Sequence, residues 1–318
     1  MKARTLFLVI AAGLLGAGSA GAQARDTISA LLHQSFNLDR PRAAASQRYT
    51  MESRLVMHAP DGAIASTDIY RLSLECLPGA VTGTDGDRWT CLGFTVQLGA
   101  APEVAVPSLA GWSYVSHHIA GSADADGRTL GIPHEPFANL VDQNGKALPP
   151  GNAYHVYNAF IDFHSFFFLT DRNPRGPGIQ DLTQVGRRII RAKAGSTAAT
   201  NVEGVTGNGS SFTNGEITLE LKGLGLAGGR PCAIVGYDSG DSSFIMSTKP
   251  MPDMEVRTVG SSHYHGDIYL DLDTSWVEKA TLSEMVVSET TVPGVANKIH
   301  GVIERTILVQ NTTADGAR

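Results

Sequence analysis

Tyr70-Arg71-Leu72-Ser73-Leu74-Glu75 alternates apolar and polar residues over six positions. With a side-chain period of two, Tyr70, Leu72 and Leu74 share one face of a strand, and Arg71, Ser73 and Glu75 share the other. The same beat recurs where Ile217, Leu219 and Leu221 oppose Thr218, Glu220 and Lys222, and again along Leu92, Phe94, Val96 and Leu98. The dipeptides Asp61-Gly62, Asp85-Gly86, Asp126-Gly127, Asn144-Gly145 and Asn214-Gly215 punctuate these segments. They are the pairs favoured by type I′ hairpin turns, where both central residues need φ > 0. The expected class is mainly β (α+β), built from antiparallel hairpins.

One stretch breaks the alternation. After Pro149-Pro150-Gly151, Asn152 is placed to cap a helix over roughly Ala153 to Leu169. A second helix is expected from Ile179, because Ile179, Leu182, Val185 and Ile189 fall at helical spacing with Asp181 in the first turn. The basic group Arg187, Arg188, Arg191 and Lys193 would then complement the negative end of that helix. Residues 195–215 are rich in Gly, Ser, Thr and Asn and read as a long flexible loop. Strand edges need covering. A curved antiparallel sheet or open barrel, with a two-helix insertion near 152–192 against its concave face, meets that need in one domain over 23–318. Two β domains joined near 150–215 is the competing layout.

The first residues carry a secretory pattern. Lys2 and Arg4 precede the apolar run Leu6 to Leu15, and Ala20-Gly21-Ala22 and Ala22-Gln23-Ala24 offer cleavage sites. Residues 1–22 are therefore expected to be a signal peptide, and the mature chain to be periplasmic or secreted. No later segment is apolar over the ~20 residues a bilayer-spanning helix needs. A net charge of −6 with scattered basic residues argues against nucleic acid as a partner. Cys76 and Cys91 lie in expected strands on either side of an Asp-Gly turn, and an oxidising compartment would allow a Cys76–Cys91 bridge. Cys232, in Cys232-Ala233-Ile234-Val235, reads as a small buried apolar residue.

The stretch His265-Gly266-Asp267-Ile268-Tyr269-Leu270-Asp271-Leu272-Asp273-Thr274-Ser275-Trp276-Val277-Glu278-Lys279-Ala280 reads as strand, polar turn, then a strand continuing through Glu284 to Glu289. It resembles the closing hairpins of exported half-barrel proteins of the periplasmic lipoprotein-carrier type, over about one sixth of the chain. The resemblance implies an apolar cavity under a curved sheet, lidded by helices, with no catalytic residues to carry over.

Two clusters could carry chemistry. In the strand Ser262 to Asp271, alternation puts His263, His265 and Asp267 on one face with Tyr269 and Asp271. Imidazoles two residues apart, about 7 Å at strand rise, can share one zinc, with Asp267 as third ligand or orienting group. The plainer reading is a solvated strand face. In the expected helix, His155, Asn158, Asp162 and Ser165 form a polar stripe, while His164 falls among aromatics. Desolvated and neutral, His164 would serve as a general base or a metal ligand, or would simply satisfy a buried carbonyl. In an enzyme, His164 or Asp162 would handle protons if the helix packs over the face of His263 and His265. Tyr154, Tyr157, Phe160 and Phe168 would either be core or line a pocket for an apolar ligand. His117, His118 and His134 lie in loop-rich sequence. Ser122-Ala123-Asp124-Ala125-Asp126-Gly127 begins like a calcium loop, but Pro133 stands where the closing acid belongs.

The sequence contains no G-x-S-x-G elbow, no H-E-x-x-H and no phosphate-binding P-loop. Three functions remain. The first is an exported protein binding a small hydrophobic ligand in a cavity between sheet and helix. The second is an exported metal-dependent hydrolase, lyase or isomerase, possessing a zinc site at His263 and His265. The third is a structural envelope protein without catalysis.

Overall fold

The computed structural model describes residues 34–79, 86–116, 130–149, 151–193, 195–196, 209–251 and 253–313. The expected signal segment, Asp85, the Asp126-Gly127 turn, His117, His118 and the 122–127 segment lie outside the described residues.

Strands β1 (Gln47–His58), β2 (Ile64–Leu77), β3 (Asp87–Leu98), β4 (Val104–Ala105) and β5 (Ser113–Ser116) come first. The helix α1 (Asn152–Thr170), the one α-helix among the described residues, follows, then β6 (Arg188–Arg191), β7 (Gly195–Ser196) and β8 (Ser211–Thr213). The chain closes with β9 (Ile217–Ala227), β10 (Arg230–Asp238), β11 (Ser242–Met251), β12 (Met254–Asp271), β13 (Val277–Thr291) and β14 (Ile299–Asn311). Every described pairing is antiparallel. The main path runs β4-β3-β2-β1-β14-β13-β12-β10-β9-β6, so the first and last long strands lie side by side at its middle. The sheet is mainly β as expected and remains open, with β4 and β6 at opposite ends of the path.

The helix explains the curvature. Phe163 packs edge-on against Trp89 of β3, 5.2 Å between ring centres, and Phe166 meets Tyr237 of β10 at 6.1 Å. Those strands are six positions apart on the path, roughly 29 Å along a flat sheet at 4.8 Å per step. A helix only about 10–12 Å across touches both because the sheet bends around it. No residue of α1 is exposed, the signature of a helix buried on all sides. Phe160, Phe163, Phe167, Trp89, Tyr49 and Trp276 are fully buried there. Aromatic density in sequence is thus spent on filling the concave side.

Several local expectations are corrected. The expected second helix is not formed: Ile179–Asp181 forms one 3-10 turn, and Arg188–Arg191 is the edge strand β6. Ile189 buries against β9 by strand alternation, so its helical spacing to Leu182 was coincidental. The group Arg187, Arg188, Arg191 and Lys193 accordingly caps no helix; Arg188 pairs with Glu220 instead. Asn152 is the first helical residue rather than the cap; its Oδ1 accepts from the Tyr70 hydroxyl at 2.8 Å. Asp61-Gly62 does turn β1 into β2, with Gly62 at φ +84. Asn214-Gly215 is instead a crossover between β8 and β9, where Gly215 lies so close to the Ser239–Asp241 backbone that a Cβ would sit 2.5 Å from a carbonyl oxygen. Leu92 is an extra residue at a bulge, with Ser73 opposite Gly93 and Leu74 opposite Cys91, and it faces solvent. Cys76 stands opposite Trp89 and Cys91 opposite Leu74, so the two thiols are diagonal neighbours. That spacing, about 7–8 Å, exceeds disulfide reach, and both remain buried free thiols, as does Cys232.

Candidate functional site: the bare half of the concave sheet

Strands β12, β13 and β14 outrun the helix. Tyr264, Glu284, Arg305, Leu55 and Asp68 form one cross-strand row from β12 to β2. The ion pair of Asp162 with Arg305 ties α1 to this row. Beyond it Ser262, Val286, Ile303 and Met57 form the next row, then Gly260, Ser288 and Gly301, then Thr258, Thr290 and Ile299. Phe244 of β11 stands opposite Gly260, and Phe212 of β8 opposite Phe244. Gly260 is needed there: a Cβ would sit 2.4 Å from the Phe244 ring, which lies across it. Val286, Ile303, Met57, Phe244 and Phe212 are half-buried, and Ile299 is 55% exposed. This inner face, the trough, carries Val286, Ile303, Met57, Ile299, Phe244 and Phe212 alongside the hydroxyls of Ser262, Ser288, Thr258 and Thr290.

The trough ends on charge. Arg305 Nε donates to Glu284 Oε2 at 2.5 Å, while its Nη1 pairs with Asp162 of α1. These side chains are only 12%, 8% and 13% exposed respectively. One guanidinium between two carboxylates leaves one negative charge in excess. The two carboxylates hold Arg305 firmly protonated. Burial, opposed by Arg305 and reinforced by Glu284, pushes the Asp162 carboxyl up to about 6. Nearby His155 packs on the Tyr70 ring, and burial together with the Arg305 charge lowers it to about 4. Tyr264 donates from its hydroxyl to Asn214 Oδ1 at 3.2 Å. Tyr237 reaches across Gly266 to donate to the Thr281 carbonyl at 2.8 Å.

The sequence-derived candidates separate. Asp162 joins the charged row, whereas His164 turns to β5, where its Nε2 lies 2.8 Å from the Tyr114 hydroxyl beneath the edge of Trp89. Phe160 is fully buried, stacked on Phe94, and Tyr157 is buried with its hydroxyl 3.1 Å from His134 Nε2. Phe168 lies under the Arg191 guanidinium at 4.6 Å. Of the four aromatic candidates, Tyr154 alone stands by the charged row, where Asp162, Arg305 and Glu284 act on its hydroxyl.

His263 and His265 share a face of β12, 6.1 Å between ring centres, as alternation requires. That face is the outer one, turned away from α1, so neither Asp162 nor His164 can serve a reaction there. Asp267 is engaged by Lys222 Nζ at 2.6 Å, and the group beside His263 is Asp238, 3.1 Å from its Nε2. Among the described residues no group of three His, Cys, Asp or Glu is arranged to hold a metal ion. A separate open hollow of about 650 Å³ lies between the 172–181 loop and β6. Two of its three arginines are matched, Arg172 by Asp39 and Arg188 by Glu220.

Glu284 and Arg305 were missed as candidates, although the sequence marks both. Each interrupts an apolar face: Ala280-Leu282-Glu284-Val286 and Ile303-Arg305-Ile307-Val309, read at every second residue. A charge inside such a face needs a buried partner, and the partner, Asp162, is 143 residues away from Arg305.

No family model matches the chain, and no curated protein matches it. Among solved structures, the outer membrane channel DcaP of Acinetobacter baumannii aligns over 86% of this chain and 99% of its own at 7% identity, with a TM-score of 0.19. An overlap that loose carries no argument about fold or function. No helix among the described residues is long and apolar enough to cross a membrane, which says nothing of crossing by strands.

Proposed function

We propose that the chain is an exported binding protein that holds a small hydrophobic ligand in the bare trough of its sheet, in the periplasm or medium. The observation that carries this reading is the inner face of β12–β14 beyond the Arg305 row, where, among the described residues, Val286 and Ile303 are only half-buried and Ile299 is exposed beside a buried charged row. An apolar concave surface with a few convergent polar groups is the usual form of a ligand site. The ligand is not held between α1 and the sheet, because Phe160, Phe163 and Phe167 already fill that space. The metal-enzyme alternative loses support from the outward-facing histidines.

Neighbouring residues on β14 test the proposal against a control. Ile303 faces the trough, and Val302 lies on the opposite face, 36% exposed. The neutral probe N-phenyl-1-naphthylamine should fluoresce on binding the wild-type protein at micromolar concentration. Ile303→Glu should abolish that signal, because an unpaired charge in an apolar site is costly to desolvate, and Val302→Glu should leave it unchanged. Equal loss in both variants, or no enhancement with wild type, would refute the trough.

A further inference from the structure

The chemistry of the trough's charged end goes one step further, to the class of ligand; it rests on the reading that the trough binds one. Arg305 is shared by Asp162 and Glu284, so this end of the trough carries one uncompensated negative charge in a site with little water. One row outward stands Ser262, 5% exposed, whose buried Oγ has no hydrogen-bond partner. Alternation along β12 puts Ser262 on the same inner face as Tyr264. Tyr264 is paired with Glu284 and Ser262 with Val286, which makes Glu284 the diagonal neighbour of Ser262. Diagonal neighbours lie about 7–8 Å apart at Cα and closer at their side chains, a gap that one atom with several donors can bridge.

Three head groups can be compared at that gap. A carboxylate or phosphate would meet the excess negative charge and be repelled. An alcohol would bond Ser262 but leave the charge unmatched. A primary ammonium supplies three N–H donors and a positive charge, donating to Ser262 Oγ and to the free lone pairs of Glu284. The alkyl chain would then run outward over Val286, Ile303 and Ile299. We propose that the trough takes an amphiphile with a primary ammonium head, seated between Ser262 Oγ and the Glu284 carboxylate.

Titration calorimetry with dodecylammonium, dodecanol and dodecanoate, each below its micelle concentration, tests this, since the three share one tail. Dodecylammonium should bind the wild-type protein at least about tenfold more tightly than either other compound, the scale of a charge-assisted hydrogen bond. Glu284→Gln should erase that preference while leaving dodecanol binding in place. Ser262→Ala, which keeps the charge and removes one small group, should weaken dodecylammonium several-fold and dodecanoate not at all. Should Glu284→Gln fail to fold, the wild-type ranking and Ser262→Ala decide. Equal affinity for all three, or tightest binding of dodecanoate, would overturn the ammonium site and leave the apolar trough standing. Binding of none would overturn both.

Discussion

The same three strands, β12 to β14, pass through two environments. On one side of the Arg305 row their inner residues Ile268, Leu270, Ala280, Leu282, Ile307 and Val309 are buried under α1. On the other side Val286 and Ile303 are half-buried and Ile299 is open. Strand propensity does not distinguish the halves, for both are rich in β-branched residues and both run in antiparallel ladders, the filled half with a break at Gly266 and Asp267. What differs is the layer above. Ladder bonds set the strands, and the aromatic helix decides which part of their face becomes core and which remains surface.

The largest expected effect separates the halves directly. Phe163 packs on Tyr49, Trp89 and Phe167 with no exposure. Phe163→Ala should cost about 3–5 kcal/mol, the range for truncating a buried aromatic. Ile303→Ala, in the bare half, should cost less than about 1.5 kcal/mol, since its methylenes are partly in water already. Urea unfolding measures both. Similar losses at the two positions would mean that the trough is packed in solution, and the contrast would collapse.

The boundary between the halves comes next. Arg305→Met strands Asp162 and Glu284 together without their cation, a loss on the order of 3 kcal/mol for a buried ion cluster broken on one side. Arg71 offers the comparison, since it also meets two carboxylates, Glu52 and Glu103, but on the exposed face. Arg71→Met should change stability by no more than about 1 kcal/mol. Adding Asp162→Asn and Glu284→Gln to Arg305→Met should recover much of the loss. No recovery would show that Arg305 acts through packing of its aliphatic stem.

How much of this was legible depended on the range of the interaction. The β class and α1 were readable because alternation, turn dipeptides and an aromatic 19-residue block are local signals. The false second helix arose from four residues at helical spacing with no test of what they face. The bulge at Leu92 was invisible because one inserted residue shifts the pattern without altering composition. The charged row was hidden for a different reason. Asp162 was picked out from its helix, but its partner Arg305 lies 143 residues further along the chain. His263 and His265 were correctly put on one face, yet sequence could not say that the helix lies on the other.

Proton uptake sharpens the comparison at its smallest scale. Glu278, at the filled end, is 8% exposed, lies near Asp271, and accepts from Asn311 Nδ2 at 3.2 Å. Burial pushes its carboxyl up to about 7 from 4.5, only partly opposed by Arg230. A folded-state value raised above the unfolded one contributes stability that is present below the unfolded value and lost as pH rises through the folded one. Lowering the pH from 8 towards 5 should therefore stabilise the protein through Glu278. Asp162 adds in the same direction as the pH falls through about 6, while His155, held near 4, opposes it from about 6.5 downward. Those two largely offset each other, so the slope between pH 8 and 6.5 belongs mainly to Glu278. Each pH unit of one extra bound proton is worth about 1.4 kcal/mol. Urea midpoints at pH 8, 7 and 6.5 should rise in the wild type and stay level in Glu278→Gln. If the variant keeps the slope, Glu278 is ionised in the fold, water reaches the filled end, and dryness no longer distinguishes it from the trough.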